Sequence, residues 1–188
     1  MRFALLAAAL LFAAPALAQT PIKFPEKLQR TDFQMVIADA GPLYVAGQPT
    51  EAALRELVSK EGIKTIINLR TQQEMDNRKQ VPYDEAAVLK ELGVTYVHIP
   101  LGGPDTPYTP EAVEKFAKAF EGANTKVLLH CTVAWRASHM WAAYLVKHKG
   151  VTPEEAKRQA SAINFGGYPQ GGAPFDGLTG VSTKPGGN

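Results

Sequence analysis

The sequence predicts an α/β fold, a mostly parallel sheet of four to five strands flanked by helices. Short β-branched, apolar runs alternate with amphipathic stretches between about residues 35 and 163. The stretch 63–69, Ile-Lys-Thr-Ile-Ile-Asn-Leu, is apolar enough for a strand covered on both faces. Glycines stand where amphipathic stretches end, at Gly62, Gly93 and Gly150.

At the start, Met1-Arg2, an apolar run over 3–14 and Ala16-Leu17-Ala18 form the three-part pattern of a secretory signal peptide over 1–18. The run is short for a bilayer span. Cleavage after Ala18 is therefore expected, with no stable membrane insertion afterwards and a periplasmic or secreted product. Residues 19–30 are a polar lead-in, and the runs 35–38 and 43–46 around Gly41-Pro42 predict a hairpin-like start. Thr50 caps a helix to about 61, with Leu54, Leu57 and Val58 on one face. After the strand at 63–69, residues 70–80 read as a polar loop, 83–92 as a helix and 94–99 as a strand. A turn-rich loop, 100–108, leads to Thr109-Pro110-Glu111, a helix start with proline in first position. Val113, Phe116, Ala117 and Phe120 form that helix's buried stripe. A strand at 126–129 runs directly into His130-Cys131, and a helix follows from about 135, with Ala137, Met140, Trp141, Tyr144 and Leu145 facing the core. Thr152-Pro153-Glu154-Glu155 is a capping box for a last helix to about 163. The Gly- and Pro-rich residues 166–188 read as a flexible tail, leaving one domain over 19–165.

Losing Arg2 with the leader reduces the 20 basic side chains to 19, against 18 acidic ones. This near-neutral balance, with no Lys/Arg run, gives no case for nucleic acid or a membrane surface as a partner. Cys131 is the only cysteine, so no internal disulfide can form. In an oxidising compartment structural cysteines come in pairs. Cys131 is thus a buried inert thiol, an intermolecular partner or a reactive centre.

Its neighbours favour the last. A strand ending in Cys131, a short loop, Arg136 and a helix would aim loop N–H groups and a helix N-terminus at one point, an anion cradle. The same field favours the thiolate form of a cysteine placed there. Arg136 adds a planar, two-pronged partner for a tetrahedral oxyanion. This geometry suits attack by sulfur on phosphorus or on another sulfur. Ligands of parallel sheets sit beyond the carboxyl ends of the strands, and the loops 100–108 and 130–136 lie there. No spacing of His, Cys and carboxylates resembles a metal site.

His130-Cys131, four residues and Arg136 after a buried strand resemble the cysteine-based phosphatases of the dual-specificity type. The chain is most similar to the bacterial phosphatase-like domain also found fused to β-lactamase-like hydrolases. Ala46-Gly47-Gln48-Pro49-Thr50, then Thr65–Arg70 with Glu74, then His98-Ile99-Pro100-Leu101 with Asp105, then His130-Cys131 follow that family's order. The resemblance implies that fold and a phosphorylated small molecule or protein as substrate. It implies Cys131 as nucleophile, Arg136 as binder of the phosphoryl oxygens and Asp105 as general acid. His130 would hold the loop, and the segment His130, Thr132, Val133, Ala134, Trp135 and Arg136 would surround the substrate. No metal or organic cofactor is implied.

Three features depart from the family pattern. Tyrosine phosphatases usually place five residues between Cys and Arg; here there are four, as in the sulfur-carrying loop of rhodaneses. Thr132-Val133-Ala134-Trp135 contains no glycine, so a left-handed Val133 or Ala134 would be strained. Ala137 stands where many phosphatases have Ser or Thr, with Ser138 or Thr132 as substitutes. Two other readings stay open beside the phosphatase: a sulfurtransferase using a Cys131 persulfide, and an inactive domain binding an anion or a partner. Asp105 can equally be a turn former. Arg70 and Glu74 are expected to form a structural ion pair, and His98, His139 and His148 to be packing or surface residues. Trp135 is either a core anchor or a substrate wall.

Overall fold

The computed structural model describes residues 21–166 and 174–180. The predicted leader, 1–18, and the tail residues 167–173 and 181–188 lie outside the described residues. The strands are β1 (Glu26–Lys27), β2 (Ile37–Asp39), β3 (Leu43–Ala46), β4 (Thr65–Asn68), β5 (Thr95–His98) and β6 (Val127–His130). The helices are α1 (Glu51–Lys60), α2 (Gln72–Asp76), α3 (Glu85–Glu91), α4 (Pro110–Glu121), α5 (Trp135–Lys149), α6 (Pro153–Ser161) and α7 (Pro174–Thr179). The strands form one sheet in the order β1-β2-β3-β6-β4-β5. β1, β2 and β3 pair antiparallel, while β3, β6, β4 and β5 are mutually parallel. The expected α/β architecture is present, with six strands rather than four to five because the lead-in contributes the two-residue β1.

The chain's alternation sorts side chains to two faces. Leu43, Val45, Ile67 and Leu129 point into one core, covered by α4, α5, α6 and α7. Tyr44, Ile66 and Leu128 point into the other, covered by α1 and α3. The predicted helix stripes are the buried ones: Leu54, Leu57 and Val58 on α1, and Val113, Phe116, Ala117 and Phe120 on α4. Local chemistry sets the ends. The Thr50 hydroxyl accepts the Ala53 N–H at 3.1 Å, and that of Thr152 accepts the Glu155 N–H at 3.3 Å. Gly150 ends α5 in the left-handed conformation.

Two expectations need correction. The polar loop 70–80 contains α2, opened by a full capping box between Thr71 and Glu74. Five residues with Met75 as their one apolar side chain carry too little periodicity to announce a helix. The segment 166–188 contains α7, whose Phe175 and Leu178 are buried against α4 and α5. A single apolar pair in a Gly/Pro-rich stretch gives no pattern, and only the tertiary cavity selects it.

The parallel register brings Ala46, His130, Asn68 and His98 into one row across the carboxyl edge. The loops that follow these four residues meet there.

Candidate active site

β6 is the inner strand between β3 and β4, and Cys131 is the first residue beyond it. The Cys131 N–H donates to Ala46 O at 3.2 Å, and the Gln48 N–H donates to Thr132 O at 2.9 Å. Gly47 makes this approach possible: a Cβ there would lie 1.8 Å from Gln34 O and 3.0 Å from Thr132 O. On the other side, Asn164 Nδ2 donates to Val133 O at 2.6 Å. The loop is therefore held at Cys131, Thr132 and Val133 before the helix starts.

The turn into α5 is made by Ala134 at φ 63°, ψ 0°, where glycine would be at ease. A non-glycine residue there costs about 1 kcal/mol or more. The strain falls on the smaller of the two candidate residues, in a fully buried position. Ala134 provides no side-chain cap. The first helical bond is Ser138 N–H to Ala134 O, at 2.8 Å. The amides of Arg136 and Ala137 thus have no intrahelical acceptor and form the positive end of a 15-residue helix.

Arg136, 8% exposed, is fixed from three sides. Its Nη1 donates to Glu74 Oε2 at 2.8 Å and to Leu101 O at 2.7 Å, and its Nη2 to Glu74 Oε1 at 2.6 Å and Thr132 Oγ1 at 2.9 Å. The Thr132 hydroxyl also donates to Glu74 Oε1 at 2.7 Å. Burial opposes ionisation of Glu74, but hydrogen bonds from Arg136, the Thr71 N–H and Thr132 outweigh it and bring its pKa down to about 2. Burial likewise opposes the charge on Arg136, and Glu74 with Cys131 more than restores it. The expected Arg70–Glu74 pair exists only at 3.8 Å; the short contacts of Glu74 go to Arg136. Sequence reading placed Glu74 in the family pattern and missed this partner 62 residues away.

Beneath the loop lies a buried polar network. Glu85, at the start of α3, faces His130 Nε2 at 3.0 Å and accepts from Gln48 Nε2 at 2.8 Å and Asn68 Nδ2 at 3.2 Å. Gln48 Oε1 in turn accepts from Arg70 Nη1 at 2.9 Å, and Gln80 Oε1 from Arg70 Nη2 at 3.0 Å. Burial lowers the pKa of Arg70, with Glu74 opposing. His98 donates to Arg70 O at 2.6 Å and stacks on Tyr96.

A cleft of about 710 Å³ opens above the loop. Cys131, only 1% exposed, lies at its floor beside Arg136, and Thr132, Val133 and Trp135 line it. Asp105 is on its rim, exposed, and Tyr108 faces it from the same loop. Gly102 turns that loop at φ +90°, where a Cβ would meet the Tyr108 hydroxyl at 2.7 Å. Two residues expected around the substrate are not among the lining ones. His130 points through the sheet row to Glu85, because successive strand residues face opposite sides. The methyl of Ala134 is buried in the core, so that position can offer only backbone. Among the described residues, no group of three or more His, Cys, Asp or Glu is placed to hold a metal, and no helix is long and apolar enough to cross a membrane.

Solved structures share this architecture. PTPMT1 in complex with PI(5)P is 19% identical, at a TM-score of 0.60 over 73% of this chain and 88% of that one. The core catalytic domain of the PP-IP phosphatase SIW14 from S. cerevisiae, in complex with citrate, is 16% identical, at 0.58 over 83% and 88%. Both show the fold. A candidate phosphatase from Neisseria meningitidis is 29% identical, at 0.51 over 64% and 82%. No protein of curated function matches the sequence. Residues 27–171 match the family described as DSP-PTPase phosphatase fused to NAD+ kinase. With that match over most of its length, on this sheet and this cysteine loop, the chain belongs to the DSP-PTPase phosphatase family.

Proposed function

We propose that the protein hydrolyses phosphoesters through a phosphocysteine on Cys131. One observation carries this: Cys131 lies at the cleft floor, in the loop between β6 and α5, beside an Arg136 already oriented by Glu74. The Cys131 sulfur attacks phosphorus as the bond to the leaving oxygen breaks. Arg136 and the N–H groups entering α5 hold the phosphoryl oxygens, where charge develops. Asp105 gives its proton to the leaving oxygen. It then takes one from the water that attacks phosphorus and releases the thiolate. Thr132 and Val133 border the reacting group, and His130 supports the loop from behind through Glu85. The substrate is a phosphorylated small molecule or protein; PTPMT1, of the same fold, is seen with PI(5)P. The leader pattern over 1–18 supports export to the periplasm or beyond, with a phosphatase domain starting at Gln19.

The test is a paired assay of phosphate release from an aryl phosphate and of sulfur transfer from thiosulfate to cyanide, on wild type and Cys131→Ser. Phosphate release that vanishes in the variant supports the reading. Sulfur transfer without phosphate release would replace it by the persulfide reading, and neither activity by the binding-domain reading.

A further inference from the structure

The cleft contains one cation among its described lining residues, Arg136, and that charge is matched by Glu74. The other charged group facing it is Asp105. Arg70 is buried beneath, bound to Gln48 and Gln80. Arg78 is turned to Tyr83 O and Asp84, and Lys79 is outside the lining. One phosphoryl group is therefore provided for, by Arg136 and the start of α5. A second anionic group on the same substrate would meet Asp105 and neutral amides.

Two aromatic rings, those of Trp135 and Tyr108, stand among the otherwise mostly polar lining side chains. Trp135 is half-buried in the lining, one residue before Arg136, and meets the His139 ring edge-on at 5.1 Å. His139 packs on Phe165 at 4.0 Å, and Phe165 on Phe175 of α7 at 6.0 Å. This row of rings fixes the Trp135 indole from behind. Burial holds the His139 pKa down to about 4, so the row adds no positive charge at neutral pH. Tyr108 is the second aromatic of the lining, from the loop that carries Asp105.

Resting on the phosphatase reading, we propose that the site takes monophosphate esters of uncharged, apolar or aromatic alcohols, with Trp135 as the residue that reads the leaving group, and that it discriminates against polyphosphorylated substrates. The α5 N-terminus and Arg136 bind what all phosphoesters share. Trp135 contacts what differs between them, and Arg136, the one cation among the described lining residues, sets the charge limit.

The experiment compares kcat/KM for naphthyl phosphate, glycerol phosphate and inositol hexakisphosphate in wild type, Trp135→Leu and Gln73→Lys. Gln73 is exposed and lines the cleft, so the lysine adds a cation without touching the core. Wild type should prefer naphthyl over glycerol phosphate by roughly 10²-fold and leave the hexakisphosphate essentially uncleaved. Trp135→Leu should shrink the naphthyl/glycerol ratio about tenfold, the scale of one aromatic contact. Gln73→Lys should raise the hexakisphosphate rate relative to naphthyl phosphate several-fold. An unchanged ratio in Trp135→Leu, or hexakisphosphate cleaved by wild type as well as naphthyl phosphate, overturns the proposal and leaves the phosphatase reading standing. No turnover of any ester by wild type removes that reading and this proposal with it.

Discussion

Glu74 meets the Arg136 guanidinium with two parallel hydrogen bonds, Nη1 to Oε2 at 2.8 Å and Nη2 to Oε1 at 2.6 Å. The pair joins α2 to the first turn of α5 and orients Arg136 before any ligand arrives. Its pH dependence has a definite sign. The folded pKa of Glu74, about 2, is below its ordinary value of 4.5. The pair's contribution is therefore complete above that ordinary value and lost as pH falls through the folded one. Because Glu74 retains 28% exposure, its size is about 2 kcal/mol rather than the full shift. In urea unfolding, Glu74→Gln should be less stable than wild type by about that much near neutrality, with the gap closing on acidification. A gap independent of pH would contradict this assignment.

Arg136→Lys should lower kcat/KM roughly 10²–10³-fold, the range for losing an aligned donor to a developing oxyanion. A point charge cannot reproduce the contacts to Glu74, Leu101 and Thr132 together. Steady-state kinetics at saturating and limiting substrate measure the loss; a near wild-type rate would show that Arg136 does not hold the phosphoryl group.

Asp105→Asn should lower turnover roughly 10²–10⁴-fold with poor leaving groups and little with an activated aryl phosphate. The sensitivity of rate to leaving-group basicity checks this. Equal slowing across the series would remove Asp105 as the acid.

Ala134→Gly should stabilise the protein by roughly 0.5 kcal/mol, the relieved left-handed strain less the entropy glycine adds to the unfolded chain. Ala134→Val should destabilise it, because a branched Cβ is worse in that conformation. Thermal unfolding of the two variants should bracket wild type; a glycine variant less stable than wild type by the full unfolded-state entropy would show that Ala134 carries no strain.

Glu85→Ala should cost about 3–5 kcal/mol, since it strips the fully buried His130, Asn68 and Gln48 of their shared acceptor. A shift in denaturant midpoint without change in slope is the expected signature. A midpoint equal to wild type would mean that the network does not hold the loop.

The elements visible in the sequence were those with local signatures. Thr50, Thr152 and Pro110 mark helix starts, the stripe Val113–Phe116–Phe120 faces the core, and 63–69 contains a doubly buried strand. Cys131 and Arg136 were legible for the same reason, since strand, loop and helix are contiguous. What escaped depends on distance along the chain. Glu74 finds Arg136, and Glu85 finds His130, only after the strands align in parallel register. α7 is a helix because a groove beside α4 and α5 accepts Phe175 and Leu178. Trp135, ambiguous between core and wall, does both, packing on His139 while lining the cleft.

Covalent chemistry at Cys131 can be caught by rapid acid quench during turnover of an aryl phosphate. Mass spectrometry of the peptide containing Cys131 should show one phosphoryl group on its sulfur, absent when the reaction is run with Cys131→Ser, which should release no phosphate. Phosphate release by Cys131→Ser at the wild-type rate, or turnover with the Cys131 sulfur never phosphorylated, would exclude a phosphocysteine route.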